Sequence, residues 1–352
     1  MGERKLAIYG AGMVGVSVYY AIKTLYKSCE IEAFLVTEMK GNPEAIQGIP
    51  VLALNEFHKR EVKILIAAPE NHHEAMAAEL EKRNLTDYIF MDSKKEANLM
   101  EQYYNAIGRF PSLRSCAVGE EKSSLQVYMT RFHRDTPLKN PYTPPKWVCP
   151  IQAGAALTKE RVTEIRDDLG DNISKKNVNY SELTAMYWAG RHTALPPDAY
   201  LGLFHYRRVL DVREEDLYRL GENDIDVVLP FPTIHFPSAE EHHRRYVKDE
   251  DWQAMVQALR ELAPDYEKRM AEIFARPYFY NYNMFIAKES VFKAYCDWLF
   301  PILGRTEELS RPRGWERADR YIGYLGENLT TLYFMYHQKD LCIVHTGRRM
   351  LT

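Results

Sequence analysis

Two polar clusters in the second half of this 352-residue chain have the composition of an anion site. The first is Asp167-Asp168-Leu169-Gly170-Asp171-Asn172-Ile173-Ser174-Lys175-Lys176-Asn177, which runs into the head of a predicted helix. A helix start offers free backbone N–H groups and the positive end of the dipole, an arrangement suited to a diphosphate. One of Asp171, Asn172 and Ser174 is enough to cap the helix. The surplus, with Lys176 and Asn177, reads as ligand-binding. The second cluster, His205-Tyr206-Arg207-Arg208, closes the apolar run 200–204. Strand ends of α/β sheets are where ligands gather, and arginine forks match phosphate oxygens two at a time. A purely structural role would instead pair Arg207 and Arg208 with acids nearby in sequence, such as Asp211, Glu214 or Glu215.

A third feature lies near the start. Gly10-Ala11-Gly12-Met13-Val14-Gly15 follows the apolar run 6–9 and opens a helical pattern, the setting in which G-x-G-x-x-G turns cradle a nucleotide phosphate. Glu38 stands at the end of the next strand, where a ribose-binding acid is expected. No hydride-transfer apparatus is recognisable beyond it. The glycines would serve equally for a tight strand-to-helix turn. His242 and His243, beside Glu240 and Glu241, point about 100° apart on a helix, which predicts a solvated face rather than a metal pair.

The elements that must carry these residues fall into two sets. Over the first hundred residues strands alternate with helices: strands at 6–9, 33–36, 62–68 and 88–91, helices at 14–25, 73–83 and 94–106. That alternation predicts a small doubly wound domain of about four strands over residues 1–108. Gly, Pro and Ser residues mark a linker at 109–124. From 125 to 352 a second α/β domain is expected. Its strands fall at 125–130, 147–149, 200–204 and 226–229, and its helices at 177–190, 251–262, 288–299 and 328–336.

Composition bounds the function. The net charge is −3, from 46 Lys+Arg against 49 Asp+Glu, which argues against nucleic acid as a partner. No apolar run approaches the length of a membrane-spanning helix. The opening residues lack a signal peptide's apolar core, and the five cysteines are scattered without a CxxC pair. Both features predict a cytoplasmic protein without a cysteine-built zinc site. The 24 tyrosines exceed the 14 phenylalanines and 5 tryptophans combined, a surplus that suits hydroxyl-rich ligands such as sugars.

The runs GDNISKKNVNYSELTAMYW (170–188) and YLGLFHYRR (200–208) resemble the signature of a bacterial glycosyltransferase family of capsular and exopolysaccharide loci. That family was formerly a domain of unknown function and is associated with galactofuranosyl transfer. His133-Arg134 and the runs 150–155, 281–286, 295–300 and 323–327 extend the resemblance to about 125–352. It implies a GT-A-like mixed α/β fold and an inverting hexosyltransferase taking a UDP-sugar donor, with a glycan or lipid-linked glycan as acceptor. His133, Arg134, Gln152, Gly154, Asp171, Asn172, Ser174, Lys176, Asn177, His205, Tyr206, Arg207 and Arg208 would bind the donor. Asn281, Asn283 and Tyr280 would meet the acceptor or sugar. Glu327, heading a helix from Asn328, would be the catalytic base, with Asp319 and Glu316 in reserve. GT-A strands usually end here in a metal-holding Asp-x-Asp. His205-Tyr206-Arg207-Arg208 in its place predicts metal-independent donor binding with no cofactor required.

The first domain resembles small Rossmann-like modules that precede sugar-modifying enzymes, nucleotide-sugar acyltransferases among them. There Gly10, Gly12, Gly15 and Glu38 would hold a nucleotide. Two other readings stay open at this point: an NAD(P)-dependent sugar-nucleotide oxidoreductase or epimerase, and a non-catalytic nucleotide-sugar sensor. Peripheral membrane attachment and self-association are compatible with all three.

Overall fold

The computed structural model describes residues 4–59 and 61–352. The first domain comprises β1 (Arg4–Tyr9), α1 (Met13–Leu25), β2 (Cys29–Val36), β3 (Ala45–Ile46), β4 (Ile49–Ala53), β5 (Lys63–Ile66), α2 (His73–Glu81), β6 (Tyr88–Phe90) and α3 (Ser93–Ala106). Its sheet runs β3-β4-β2-β1-β5-β6, parallel from β4 to β6. The parallel strands number one more than the periodicity predicts. The extra one is β4, whose Val51 pairs with Phe34 although Pro50 breaks the apolar pattern.

Two of the motif glycines are explained by the backbone. Gly10 has φ +128°, and a Cβ there would stand 2.3 Å from the Ala67 carbonyl oxygen. A Cβ on Gly15 would stand 1.9 Å from the Gly10 carbonyl oxygen, because helix and turn touch there. Gly15→Ala is therefore expected to destabilise the domain by more than about 3 kcal/mol, since backbone must move to admit the methyl. Gly12→Ala is expected to be nearly neutral, because a Cβ at Gly12 has no atom within 4 Å. Thermal melts of the two variants check the contrast.

The second domain comprises β7 (Leu125–Arg131), β8 (Val148–Gln152), β9 (Ile165–Arg166), α4 (Asn177–Tyr180), α5 (Leu183–His192), β10 (Tyr200–His205), β11 (Arg208–Leu210), α6 (Leu217–Glu222), β12 (Val227–Pro230) and β13 (Thr233–Ile234). It continues with α7 (Glu241–Tyr246), α8 (Asp249–Leu262), α9 (Pro264–Phe274), β14 (Tyr278–Phe279), β15 (Phe285–Lys288), α10 (Glu289–Leu309), α11 (Tyr321–Tyr336), β16 (Ile343–Thr346) and β17 (Arg348–Met350). The main sheet runs β16-β12-β15-β10-β7-β8-β9, and β15 is antiparallel to both its neighbours. This is the Rossmann-related mixed sheet of a GT-A-like domain. Its strands are apolar on both faces because helices cover both, as in Leu201, Leu203, Val227 and Ile286, all fully buried.

Two helix boundaries differ from expectation. The helix predicted over 177–190 is broken at Ser181, whose φ is +50°, into α4 and α5. The helix predicted from Asn328 begins at Tyr321, so Glu327 lies in its second turn. Among the described residues no helix is long and apolar enough to cross a membrane.

The domains share a seam. Ile234 and Phe231 of the second domain are buried in one apolar cluster with Val14, Leu99 and Tyr104 of the first. Tyr104 Oη donates to the Pro232 carbonyl at 2.7 Å, and the Ile234 amide donates to Ser17 Oγ at 2.9 Å. The segment predicted as a linker packs as well. Leu113 is fully buried, and Arg114 joins Glu101 on α3 to Asp211.

Candidate active site

β10 ends at the middle of the sheet, beside the end of β7, with Thr130 opposite His205. Beyond it stand two guanidinium groups for which the described residues supply no carboxylate within 4 Å. Asp211 pairs with Arg114, Glu214 with Lys122, Glu215 with Arg213, and Asp135, whose carboxyl feels the Arg207 charge, with Arg131. Arg207 lies 5.1 Å over the Tyr206 ring, and its Nε is buried without a partner. Arg208 lies 4.4 Å over the Tyr282 ring. Strand β17 pairs with β11, setting Met350 opposite Arg208, so Arg348 shares the face that carries Arg208. Arg348 lies 5.0 Å over the same Tyr282 ring and is held by Glu96 of α3 at 3.2 Å. Arginines left uncompensated at a strand end form a seat for an anion.

His205 does not add to this charge. Burial holds its imidazole below the usual range, outweighing the opposing pull of Glu182, so the ring is neutral at neutral pH. Its Nε2 is buried without a hydrogen-bond partner, 4.0 Å from Glu182 Oε1. Glu182 accepts from Asn283 Nδ2 at 2.8 Å. Asn283 also donates to the Gly323 carbonyl and accepts from Thr330, pinning the turn before β15 to α5 and α11. Tyr282 and Asn283 both have positive φ, at +77° and +46°. Two consecutive residues in that region are strained, and such strain persists only where surrounding contacts over-determine it.

Glu327 completes the cleft. Its side chain is 12% exposed, and Oε2 lies 3.3 Å from His242 Nε2. Its charge acts on both His205 and Arg348. The expectation of a solvated His242-His243 face is corrected. Both are buried; His242 faces Glu327 and His243 stacks on Trp252 at 3.8 Å.

The remaining predicted residues divide. His133 and Arg134 follow β7 beside the arginines; His133 Nδ1 is buried without a partner and Arg134 is exposed. The Asp167–Asn177 cluster, by contrast, spends its polar atoms internally. Asp167 is fully buried and accepts from the amides of Gly154 and Ala155 and from Ser174 Oγ. Ser174 Oγ also accepts from the Ala156 amide. Asn177 donates to Ser181 and Thr184, and its side chain fills the space a Cβ on Gly154 would need. Gln152 bridges the Glu160 carbonyl and the Val162 amide. Asn172 folds onto the Gly170 carbonyl, Asp171 accepts from Tyr187, and Lys176 pairs with Glu307.

Tyr280 and Asn281 face the core rather than the cleft. Tyr280 Oη shares a hydrogen bond with His345 Nε2 at 2.8 Å, and Asn281 accepts from Thr233. Sequence reasoning placed Tyr282 in a motif facing a sugar and missed Glu182, Arg348 and His242. Only the shared family run flags Glu182 and Tyr282, and nothing local marks Arg348.

The glycine turn faces protein. In front of Gly12 is a cavity of about 10 Å³, room for one water, walled by Ile234, His235, Phe236 and Arg245 of the second domain. A pyrophosphate would enter only if the domains parted. Glu38 is exposed, with Asn42 donating to its carbonyl oxygen. A large concavity, about 1100 Å³, lies between α1 and α3 near Tyr26 and Leu99, away from the arginines. It has the size of a ligand site but no convergent set of unpaired polar groups.

The fold and the cleft together define a GT-A-like protein whose fourth strand ends in cations. The chain belongs to the family described as a domain of unknown function (DUF4422), whose profile matches residues 128–339. No curated protein matches it. Among solved structures, the apo structure of the bifunctional glycosyltransferase WbbM is similar, with a TM-score of 0.54 and 26% identity over 65% of this chain and 46% of that one. The chain therefore spans less than half of WbbM.

Proposed function

We propose that the protein is an inverting glycosyltransferase that moves a hexose, galactofuranose foremost, from a uridine diphosphate donor to a glycan acceptor. The acceptor in this reading is a growing cell-surface polysaccharide, free or lipid-linked at the inner face of the membrane. Likeness to WbbM and membership of the family support the reaction class. The carrying observation is the pair Arg207 and Arg208, without a carboxylate within 4 Å among the described residues at the strand end where a metal-binding acid pair is usual, with Glu327 acting on His205 of that strand end and on Arg348, which shares the Tyr282 ring with Arg208.

In this mechanism the arginines, with Arg134, receive the diphosphate, and no metal is needed to neutralise it. The Glu327 carboxylate takes the proton of an acceptor hydroxyl as its oxygen attacks the anomeric carbon. The bond from that carbon to the phosphate oxygen breaks, and its electron pair leaves with UDP, whose growing charge the guanidinium groups stabilise. Attack opposite the leaving group inverts the anomeric centre.

Incubation with UDP-galactofuranose or UDP-galactopyranose and a galactoside acceptor, with and without EDTA, tests this. Transfer from UDP-galactofuranose, undiminished by EDTA and inverted by NMR, is the expected result. Consumption of neither donor removes the substrate assignment; loss of activity with EDTA removes only the metal-independent part.

A further inference from the structure

The N-terminal domain is linked to Glu327 by a continuous run of buried contacts. Its last member is His242, which is 2% exposed, with Nε2 3.3 Å from Glu327 Oε2 and its ring stacked at 3.9 Å on Phe279. His242 Nδ1 is buried and has no partner. A neutral imidazole carries one N–H, and a buried orphan donor is more costly than an orphan lone pair. On that ground Nε2, 3.3 Å from the carboxylate, is the ring nitrogen that can give Glu327 a donor, and Nδ1 the one that can go without a partner.

The helix carrying His242, α7, has only six residues and depends on its surroundings for position. Edge-on to His242 at 5.6 Å is His235, which burial keeps uncharged, its pKa lowered to about 3. His235 follows the β13–β14 pairing, in which Thr233 lies opposite Phe279 and Ile234 opposite Tyr278. That strand pair is seated on the first domain. The Ile234 amide donates to Ser17 Oγ on α1, and Tyr104 of α3 donates to the Pro232 carbonyl. His235, Glu241 and Arg245 close over the glycine turn, leaving only the water-sized cavity.

Resting on the transferase reading, we propose that His242 is a positioning residue for the Glu327 carboxylate and that the Rossmann-like domain, through α1, is the seat that holds it there. The glycine turn in this protein packs against the segment 234–236 of the second domain.

The test measures kcat and donor KM of full-length variants with UDP-galactofuranose, beside their melting temperatures. His242→Phe keeps the stack on Phe279 but removes the donor, and kcat is expected to fall about 10- to 100-fold with donor KM changed by less than about two-fold. His242→Gln, whose amide N–H reaches the Nε2 position, is expected to restore most of the loss. Ser17→Ala leaves the Ile234 amide without its acceptor, and kcat is expected to fall roughly three- to ten-fold at unchanged donor KM. An unimpaired His242→Phe enzyme, or equal losses in the Phe and Gln variants, overturns the positioning role. Wild-type kcat in Ser17→Ala overturns the role of the first domain. Absence of turnover in the wild type strikes the donor assignment of the transferase reading rather than the role of His242, so the two failures are told apart.

Discussion

Glu327→Gln is expected to lower kcat by roughly 10³-fold while donor KM stays within a factor of about two. The substitution keeps the shape of the side chain and an oxygen for His242, and removes only the ability to accept a proton. The reserve acids cannot replace it. Asp319 is bound by the Arg317 guanidinium, and Glu316 accepts the Arg313 amide. Glu182 is the real competitor, since it faces His205 from the other side and is equally shielded from solvent. Glu182 is tied through Asn283 into the hydrogen bonds that hold the turn before β15, a structural duty, whereas Glu327 has His242 beside it. Kinetics of the two Gln variants decide between them. If Glu182→Gln loses the rate and Glu327→Gln keeps more than about a tenth of it, the base has been misassigned.

Replacing either arginine of the pair is expected to act on the donor instead. Arg207→Met and Arg208→Met should each weaken UDP binding about 10- to 100-fold, the range of a charge-assisted hydrogen bond. Calorimetry in EDTA isolates this term from any divalent cation. Arg208→Lys should recover little, because an ammonium group offers neither the two-pronged fork nor the flat stack that the Tyr282 ring receives. Binding should also weaken with added salt, as expected of a partly exposed cationic seat. UDP affinity unchanged in both Met variants would remove the donor site from the end of β10.

Much of this protein was legible from local pattern. Alternating apolar runs located all but one of the parallel strands of the first domain; β4 showed only as an extended piece over 47–52, bounded by turn residues. Gly10-to-Gly15 declared a strand-to-helix turn, and the packing of Gly10 and Gly15 explains why glycine stands there. The arginine pair was legible for the same reason: a strand end is continuous in sequence with the groups it displays.

Part of the dense cluster at 167–177 serves the fold. Residue types that could bind a diphosphate are also those that satisfy buried amides, and Asp167, Ser174 and Asn177 are consumed in doing so. Helical spacing likewise placed His242 on a solvated face, because a helical wheel cannot tell whether another element covers it, here Phe279 and α11.

The amino-acid sequence by itself determined the two α/β units, the glycine turn, the arginine-bearing strand end and the family, because each depends on neighbours in the chain. Only the tertiary structure decided which polar groups stay free. Arg348 reaches Tyr282 through the pairing of β17 with β11, and Glu327 meets His242 across the packing of α11 and α7. A side chain's hydrogen bonds, burial and charge partners are set by residues tens to hundreds of positions away, and those contacts separate a site from a scaffold.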